Sequence, residues 1–455
     1  MKKQWAYILL LIIGSLTYAA DLMDIYHQAL KNDPTFKAAY STFLSQAESI
    51  PQAQSALLPQ VTLNGQKSFN QMTTRMSRVG GTENYTGQQI GANASQALFD
   101  LQAWNNVQKA KASVKAAQAQ FNNAAQTLIL SVTQAYLDAL LAKNTLTFSE
   151  AKKRANKREL DQAQERFNVG IDTITSVYEA KAAYDQSIAE VIAARNNQIN
   201  RNENLRKLTN YSYEYLSPLR NETVPLITPE PNNVDDWIST GLKQNYNLFA
   251  AKFNLQAARE NIKAQSTGNW PTLALQGSST RTTNAATINN ILIPQEQIQS
   301  TVALAVNFPI YQGGLIEANT RQAKFDFQTS SEQLEQAYRN VIVNSRIAFN
   351  TIIDGASKVK ADRKTVISAD NKLGSTWAQY QAGMRTMVDV TRAQEDLFQS
   401  QVQLASDQYQ FIMSILNLKY LAGSLNVADI EEVNSWLDTT RVNGVIPKHI
   451  SHAKH

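Results

Sequence analysis

The 455-residue chain contains no cysteine and only four histidines, His27, His449, His452 and His455. The first absence excludes disulfides, thiolate nucleophiles, cysteine metal sites and a lipid-modified N-terminal cysteine. The second leaves general acid–base chemistry to carboxylates, and neither a nucleophile–base pattern nor a glycine-rich phosphate loop accompanies them. An enzyme would need a carboxylate site that the sequence does not display. His449, His452 and His455 follow Pro447 at the terminus and read as a disordered tail rather than a metal grip, so no metal or cofactor is expected. Long apolar runs are scarce too. Ile8 to Ile13 is continuously apolar, but nothing later approaches the roughly 20 apolar residues of a membrane-spanning helix. Preceded by Lys2 and Lys3 and followed by Thr17-Tyr-Ala19, that run reads as a signal peptide, residues 1–20, of an exported protein. Net charge is +5, with 43 basic and 38 acidic residues interspersed rather than clustered, so no nucleic-acid surface is expected.

What the chain does contain is a duplication. Leu58-Pro-Gln-Val-Thr-Leu-Asn-Gly65 matches Trp270-Pro-Thr-Leu-Ala-Leu-Gln-Gly277, and Asp24-Ile-Tyr matches Asp236-Trp-Ile, both at a spacing of 212 residues. Ala135-Tyr136 pairs with Ala348-Phe349, and Gly170 with Gly383, at 213. The phrases Phe167-Asn-Val-Gly-Ile-Asp-Thr-Ile-Thr-Ser-Val177 and Tyr380-Gln-Ala-Gly-Met-Arg-Thr-Met-Val-Asp-Val390 fall at corresponding places. A constant offset over so long a stretch marks two copies of one unit. The first copy spans 21–210 and the second 233–425. A proline-rich connector, 211–232, joins them, and a partly disordered tail, 426–455, follows.

Each copy reads as helix, two strands, long helix, break, helix. Residues 22–57 are helical in pattern up to Pro59. Val61 and Leu63 then alternate with Thr62 and Asn64, and Val302, Leu304, Val306 and Phe308 with small or polar residues, the period of a strand with one apolar face. Gly80-Gly81 and Asn289-Asn290 mark the turns between strands. No proline interrupts Gln102 to Asn168 or Leu315 to Ala382, which predicts two rods of about 100 Å each. Val390, Leu397, Leu404, Phe411 and Leu418 recur every seven residues, as do Val177, Tyr184, Val191, Gln198 and Leu205, the seam of coiled-coil packing. Gly170 and Gly383 suit positions just beyond a helix, and Thr173 and Thr386 suit the caps of the next. Four strands cannot close a barrel in lipid, where unpaired backbone is prohibitive. Either several copies share one barrel, or the chain is a periplasmic coiled-coil scaffold or adaptor without one.

The chain resembles the TolC family of outer-membrane efflux proteins through Leu57-Leu-Pro-Gln-Val-Thr-Leu-Asn-Gly65, Phe99-Asp100 and Tyr311-Gln-Gly-Gly314 ahead of the long helices, Arg166-Phe-Asn-Val-Gly170, and Tyr380 to Val390. The resemblance implies an α+β membrane protein. It would be a homotrimer whose twelve-stranded β-barrel, four strands per chain, sits in the Gram-negative outer membrane and continues as a long α-helical barrel in the periplasm. It further implies a passive exit duct, coupled through a periplasmic adaptor (a membrane fusion protein) to an inner-membrane transporter of the resistance-nodulation-division (RND) or ABC type, for drugs and other toxic compounds and for type I protein secretion. Outer-membrane lipid is then a further partner. The matched glycine phrases become the two turns at the periplasmic tip.

By the same resemblance Tyr380, Arg385 and Asp389 stand where the family places its closed-state latch and an aspartate ring around the pore axis. The family's Thr-Asp pair on the first turn is here Thr175-Ser176, which removes a charged partner of Arg385. Where the family carries a second acid stands Arg392, on one helix face with Asp389 and Asp396. Arg392 would then partly neutralise the Asp389 ring, and Asp396 would form a displaced acidic ring about 10 Å along the helix. Glu179, the first-copy counterpart of Arg392, could bridge to it between neighbouring hairpins. Phe167, Gly170 and Gly383 are the expected adaptor contacts at the tip.

Overall fold

A computed structural model describes residues 20–75, 80–213, 215–220, 223–288 and 291–438. The signal segment up to residue 19, the Asn289-Asn290 turn and the three terminal histidines lie outside the described residues.

The elements run α1 (Leu22–Asn32), α2 (Pro34–Ala47), α3 (Ser49–Ser55), β1 (Gln60–Arg75), β2 (Gly80–Phe99), α4 (Leu101–Asn168), α5 (Ile174–Thr209), α6 (Val234–Gln244), α7 (Tyr246–Ser266), β3 (Thr272–Ile288), β4 (Ile291–Asn307), α8 (Leu315–Gln381), α9 (Met387–Leu421) and α10 (Val427–Ser435). The expected helical stretch 22–57 is three helices rather than one. Pro34 has no N–H to donate and disfavours helical backbone at Asp33, whose φ of −61° and ψ of 117° are extended. The Asp33 carboxylate accepts from Thr35 N–H at 2.9 Å and starts the helix afresh.

The described residues form two compact units, one within 41–121 and 247–337, the other within 20–40, 122–246 and 338–438. The first holds a single antiparallel sheet in the order β1-β2-β3-β4. Its register places Val61 opposite Ala94, Leu63 opposite Ala92, Leu275 opposite Leu304 and Leu273 opposite Val306. The same face carries Ile90, Ile298 and Val302, whereas Thr62, Asn64, Asn93, Ser278 and Thr301 share the other. Asn93 Nδ2 donates to Asn64 Oδ1 at 2.9 Å across the polar face. The apolar face is bare in the single chain: Leu63 is 79% exposed and Val302 80%. So large an uncovered apolar surface requires a non-aqueous neighbour. The outer edges of β1 and β4 have no partner strand among the described residues. Among the described residues no helix is long and apolar enough to cross a membrane.

The other unit is built on the seven-residue seams. Val390, Leu397, Phe411 and Leu418 of α9 are buried, as are Val177, Val191 and Leu205 of α5. A central cluster gathers Leu22 and Ile25 of α1, Tyr136 and Leu137 of α4, Ile352 of α8, and Ile412 and Leu416 of α9. Each such side chain contributes about 1.5–3 kcal/mol on burial. Tyr136 is fully enclosed, and its hydroxyl donates to the Ser217 carbonyl at 2.7 Å, tying the connector to α4. The tail is ordered at its start. Asn426 and Asp429 form a reciprocal capping box for α10, which buries Ile430 and Val433 in the same cluster. Farther along, Lys152 of α4 is nearly buried between Glu190 of α5, at 2.7 Å, and Glu395 of α9, and so joins three helices with one cation.

Candidate functional site: the helix-turn tips

Both long helices end alike. Met384 N–H reaches the Gln379 carbonyl and Ile171 N–H the Arg166 carbonyl, each at 2.9 Å, while Gly383 and Gly170 N–H reach the carbonyls of Tyr380 and Phe167. This is the Schellman closure, and it needs left-handed backbone at its centre. Gly170 (φ 75°) and Gly383 (φ 74°) supply it. Thr173 then caps α5 through Ser176 N–H, and Thr386 caps α9 through Asp389 N–H, as the sequence predicts.

Below the turns a small core holds the two hairpins together. Ala163 of α4, Val177 and Ala180 of α5, Tyr380 of α8, and Met387 and Val390 of α9 are all buried there. Trp377 packs on Tyr380 with ring centroids 5.7 Å apart. Tyr380 is the member that also bonds. Its hydroxyl donates to Asp172 Oδ2 at 2.8 Å, joining the second turn's helix to the first turn itself. Arg166 completes the arrangement, with its Nε 3.5 Å from the same carboxylate oxygen and its guanidinium carbon 5.1 Å from the Tyr380 ring centre. The other Asp172 oxygen accepts from Ser176 Oγ at 2.7 Å and from Thr173 N–H at 2.8 Å.

Asp172 is the residue that sequence reading passes over. The acid that the resemblance implies after Thr175 is Ser176 here, but an acid stands four residues earlier, in the turn, and Ser176 serves it as a donor. Thr175 itself is exposed. Arg385 donates from Nε to Gln379 Oε1 at 3.1 Å and lies 4.0 Å from Asp389. Asp389 is occupied as the third residue of the α9 capping box. Arg392 is exposed and makes no ion pair with Glu179 among the described residues. Asp396 pairs with Lys372 of α8 at 2.6 Å, so its charge is compensated within the chain. Phe167, Val169, Ile171 and Met384 project uncovered at the tip, beside Gly170 and Gly383.

The charges in this cluster are set by these contacts. Burial works against the Asp172 carboxylate, but the bonds from Ser176, Thr173 and Tyr380 and the Arg166 charge outweigh it and hold its pKa below the ordinary range. Burial and the adjacent carboxylate push the Tyr380 phenol up to about 12. At Asp389 the bonds from Thr386 N–H and hydroxyl, with Arg385 and Arg392 nearby, lower the pKa. A depressed carboxyl stabilises its folded contacts above its unfolded pKa and loses them as pH falls through the folded value. A raised phenol stabilises below its unfolded pKa and loses its bond as pH rises through about 12. These contacts should therefore hold between about pH 5 and 10 and weaken below about pH 4, a change that the Tyr380 phenol's fluorescence or proton resonance would follow.

Comparison with known proteins decides the family. The profile described as "Outer membrane efflux protein" matches residues 25–211 and 237–424. The chain belongs to the outer membrane efflux protein family. It is 33% identical to the outer membrane protein TolC of Salmonella enteritidis over 93% of this chain and 86% of that one. It is 26% identical to the proteases secretion protein PrtF of Dickeya chrysanthemi over 96% and 95%. Among solved structures, the Campylobacter jejuni CmeC outer membrane channel superposes with a TM-score of 0.75 at 18% identity, covering 92% of this chain and 90% of that one. The fold class is that of these channels, with four strands per chain in the twelve-stranded barrel of a homotrimer and long helices in the periplasm. The family protein is an outer-membrane channel for efflux and secretion. The rival expectation, a scaffold without a barrel, is set aside. The family is one of transport proteins working with periplasmic adaptors and inner-membrane transporters.

Proposed function

We propose that this efflux duct is closed at its periplasmic tips by an Asp172-centred latch and admits cargo when the two hairpins of each chain part. The Tyr380–Asp172 hydrogen bond carries this reading, because it is a charge-assisted link between two helix–turn–helix arms that are otherwise held at the tip by a small apolar cluster. The Thr175-Ser176 position gives up its role to the turn acid, and Arg385 serves the second turn locally. Three copies of Asp389 form a cation-attracting ring at the axis, moderated by Arg392, while Asp396 is muted by Lys372 and adds little. The uncovered Phe167 and Met384, with the glycine turns between them, receive a periplasmic adaptor. That adaptor links the duct to an RND transporter for drugs or an ABC transporter for secreted protein, the latter by analogy with the protease-secretion relative.

Single-channel recording tests both halves. Tyr380→Phe should raise conductance at neutral pH by removing the donor while keeping the ring packing. Arg392→Asp should raise cation selectivity about twofold or more. An unchanged Tyr380→Phe channel would remove the latch, and an unchanged Arg392→Asp channel would place Arg392 away from the pore.

A further inference from the structure

Adjoining the Tyr380 cluster, where Trp377 packs on Tyr380, α4, α8 and α9 border an open cavity of about 730 Å³. Arg158, Glu159, Gln162, Asp370, Trp377 and Gln394 lie on its wall. Nothing in the gating scheme uses it. Glu159 is only 6% exposed, yet among the described residues it makes no hydrogen bond and no ion pair. A carboxylate in that position is unfavourable unless something else solvates it. Burial accordingly holds its pKa above the ordinary range, with Arg158 pulling the other way. Gln394 is also buried and makes no hydrogen bond among the described residues. The rest of the wall is mixed, with Asn371 and Ser375 polar and Ala155, Leu373 and Trp377 apolar or aromatic. The charged lining residues, Arg158, Glu159 and Asp370, leave one negative charge in excess.

We propose that this cavity is a binding site for an organic monocation, with the cationic centre held by Glu159 and an aromatic or apolar body lying against Trp377 and Leu373. A cation supplies the direct ion pair that Glu159 lacks, since Arg158 acts on it only from a distance. An indole face is the strongest cation–π partner among side chains. The volume falls within the 300–1,000 Å³ typical of small-molecule sites. An anion would meet two carboxylates against one guanidinium, and a purely apolar ligand would leave Glu159 unpaired. The site lies between helices of one chain and does not depend on the latch reading.

Titration calorimetry of tetraphenylphosphonium into the full-length trimer in detergent tests the proposal. Saturable binding at one site per chain is expected. Glu159→Gln, which preserves shape, should weaken it about tenfold or more, and Trp377→Phe several-fold. Triphenylphosphine oxide, a neutral analogue, should bind the wild type about tenfold more weakly than the cation and should not distinguish wild type from Glu159→Gln. Glu159→Gln should also raise the thermal midpoint without ligand, showing that the variant folds. Binding by Glu159→Gln within twofold of wild type, equal binding of the neutral analogue, or no saturable binding to the wild type would each overturn the proposal.

Discussion

Asp172→Asn should produce channels that open far more readily than the wild type, with a several-fold higher mean conductance at neutral pH. The substitution keeps the side chain's shape and one acceptor for the Tyr380 hydroxyl but removes the charge that Tyr380, Ser176 and Arg166 all address. Hydrogen bonds to charged groups contribute about 1.5–3 kcal/mol, roughly twice neutral ones. The Asp172 side chain is 13% exposed, so solvent screens little of this. A loss of about 2 kcal/mol per chain shifts a closed-to-open equilibrium about 30-fold, and three chains around one axis compound it. Adding Ser176→Asp to the Asp172→Asn background should restore part of the closure, because the Ser176 hydroxyl already touches the Asp172 carboxylate. Planar-bilayer recordings of the three proteins give the comparison. Wild-type conductance from the single variant would sink the role of Asp172.

Gly423→Ala should be severely destabilising, more so than an added methyl at any other glycine whose surroundings are described. Gly423 ends α9 at φ +72°, a backbone state that costs an L-residue about 1–2 kcal/mol. A β-carbon there would also run into the Gln244 carbonyl and come within 2.8 Å of Asn245 N. These are backbone atoms at the junction of α6 and α7, where Asn245 Nδ2 donates to the Leu421 carbonyl at 2.9 Å. Neither strand of chain can yield without breaking that bond or the one from Gln126 Nε2 to the Gly423 carbonyl at 3.1 Å. A total of about 4 kcal/mol is expected, and with it a fall of the thermal midpoint by about 5–10 °C or failure to assemble. Gly374→Ala is the control. It sits in α8 with nothing within 4 Å of a new β-carbon and should be neutral or mildly stabilising. Melting curves of the detergent-solubilised trimer separate the two cases.

Periodicity made most of the architecture legible. The alternation at Val61–Leu63 and Val302–Val306 placed one apolar face before any register was known, and the proline-free runs placed α4 and α8 nearly to the residue. The turn glycines and capping threonines were equally readable, since their conformations admit few residue types. Two features escaped for different reasons. The duplicated unit was the template for reading the chain, and α10 has no counterpart in the first copy, although Asn426 and Asp429 spell its capping box. Asp172 escaped because a turn carries no period. Its pairing with Tyr380 spans 208 residues of sequence and follows from how the hairpins pack, which no local pattern encodes. The same is true of Glu159, whose isolation is a property of the walls around it.

The unpaired outer edges of β1 and β4 have a genetic consequence. Each chain borrows its neighbours' backbone to finish the barrel, so a copy whose edge cannot pair still offers one good edge and is drawn into assemblies with intact chains. If such a copy, for example one with proline in the middle of β1, is produced in equal amount beside the normal one, random mixing leaves only about one trimer in eight free of it. A defect at the sheet margin would therefore behave as dominant, and its severity would scale with gene dosage rather than with the stability of the altered chain.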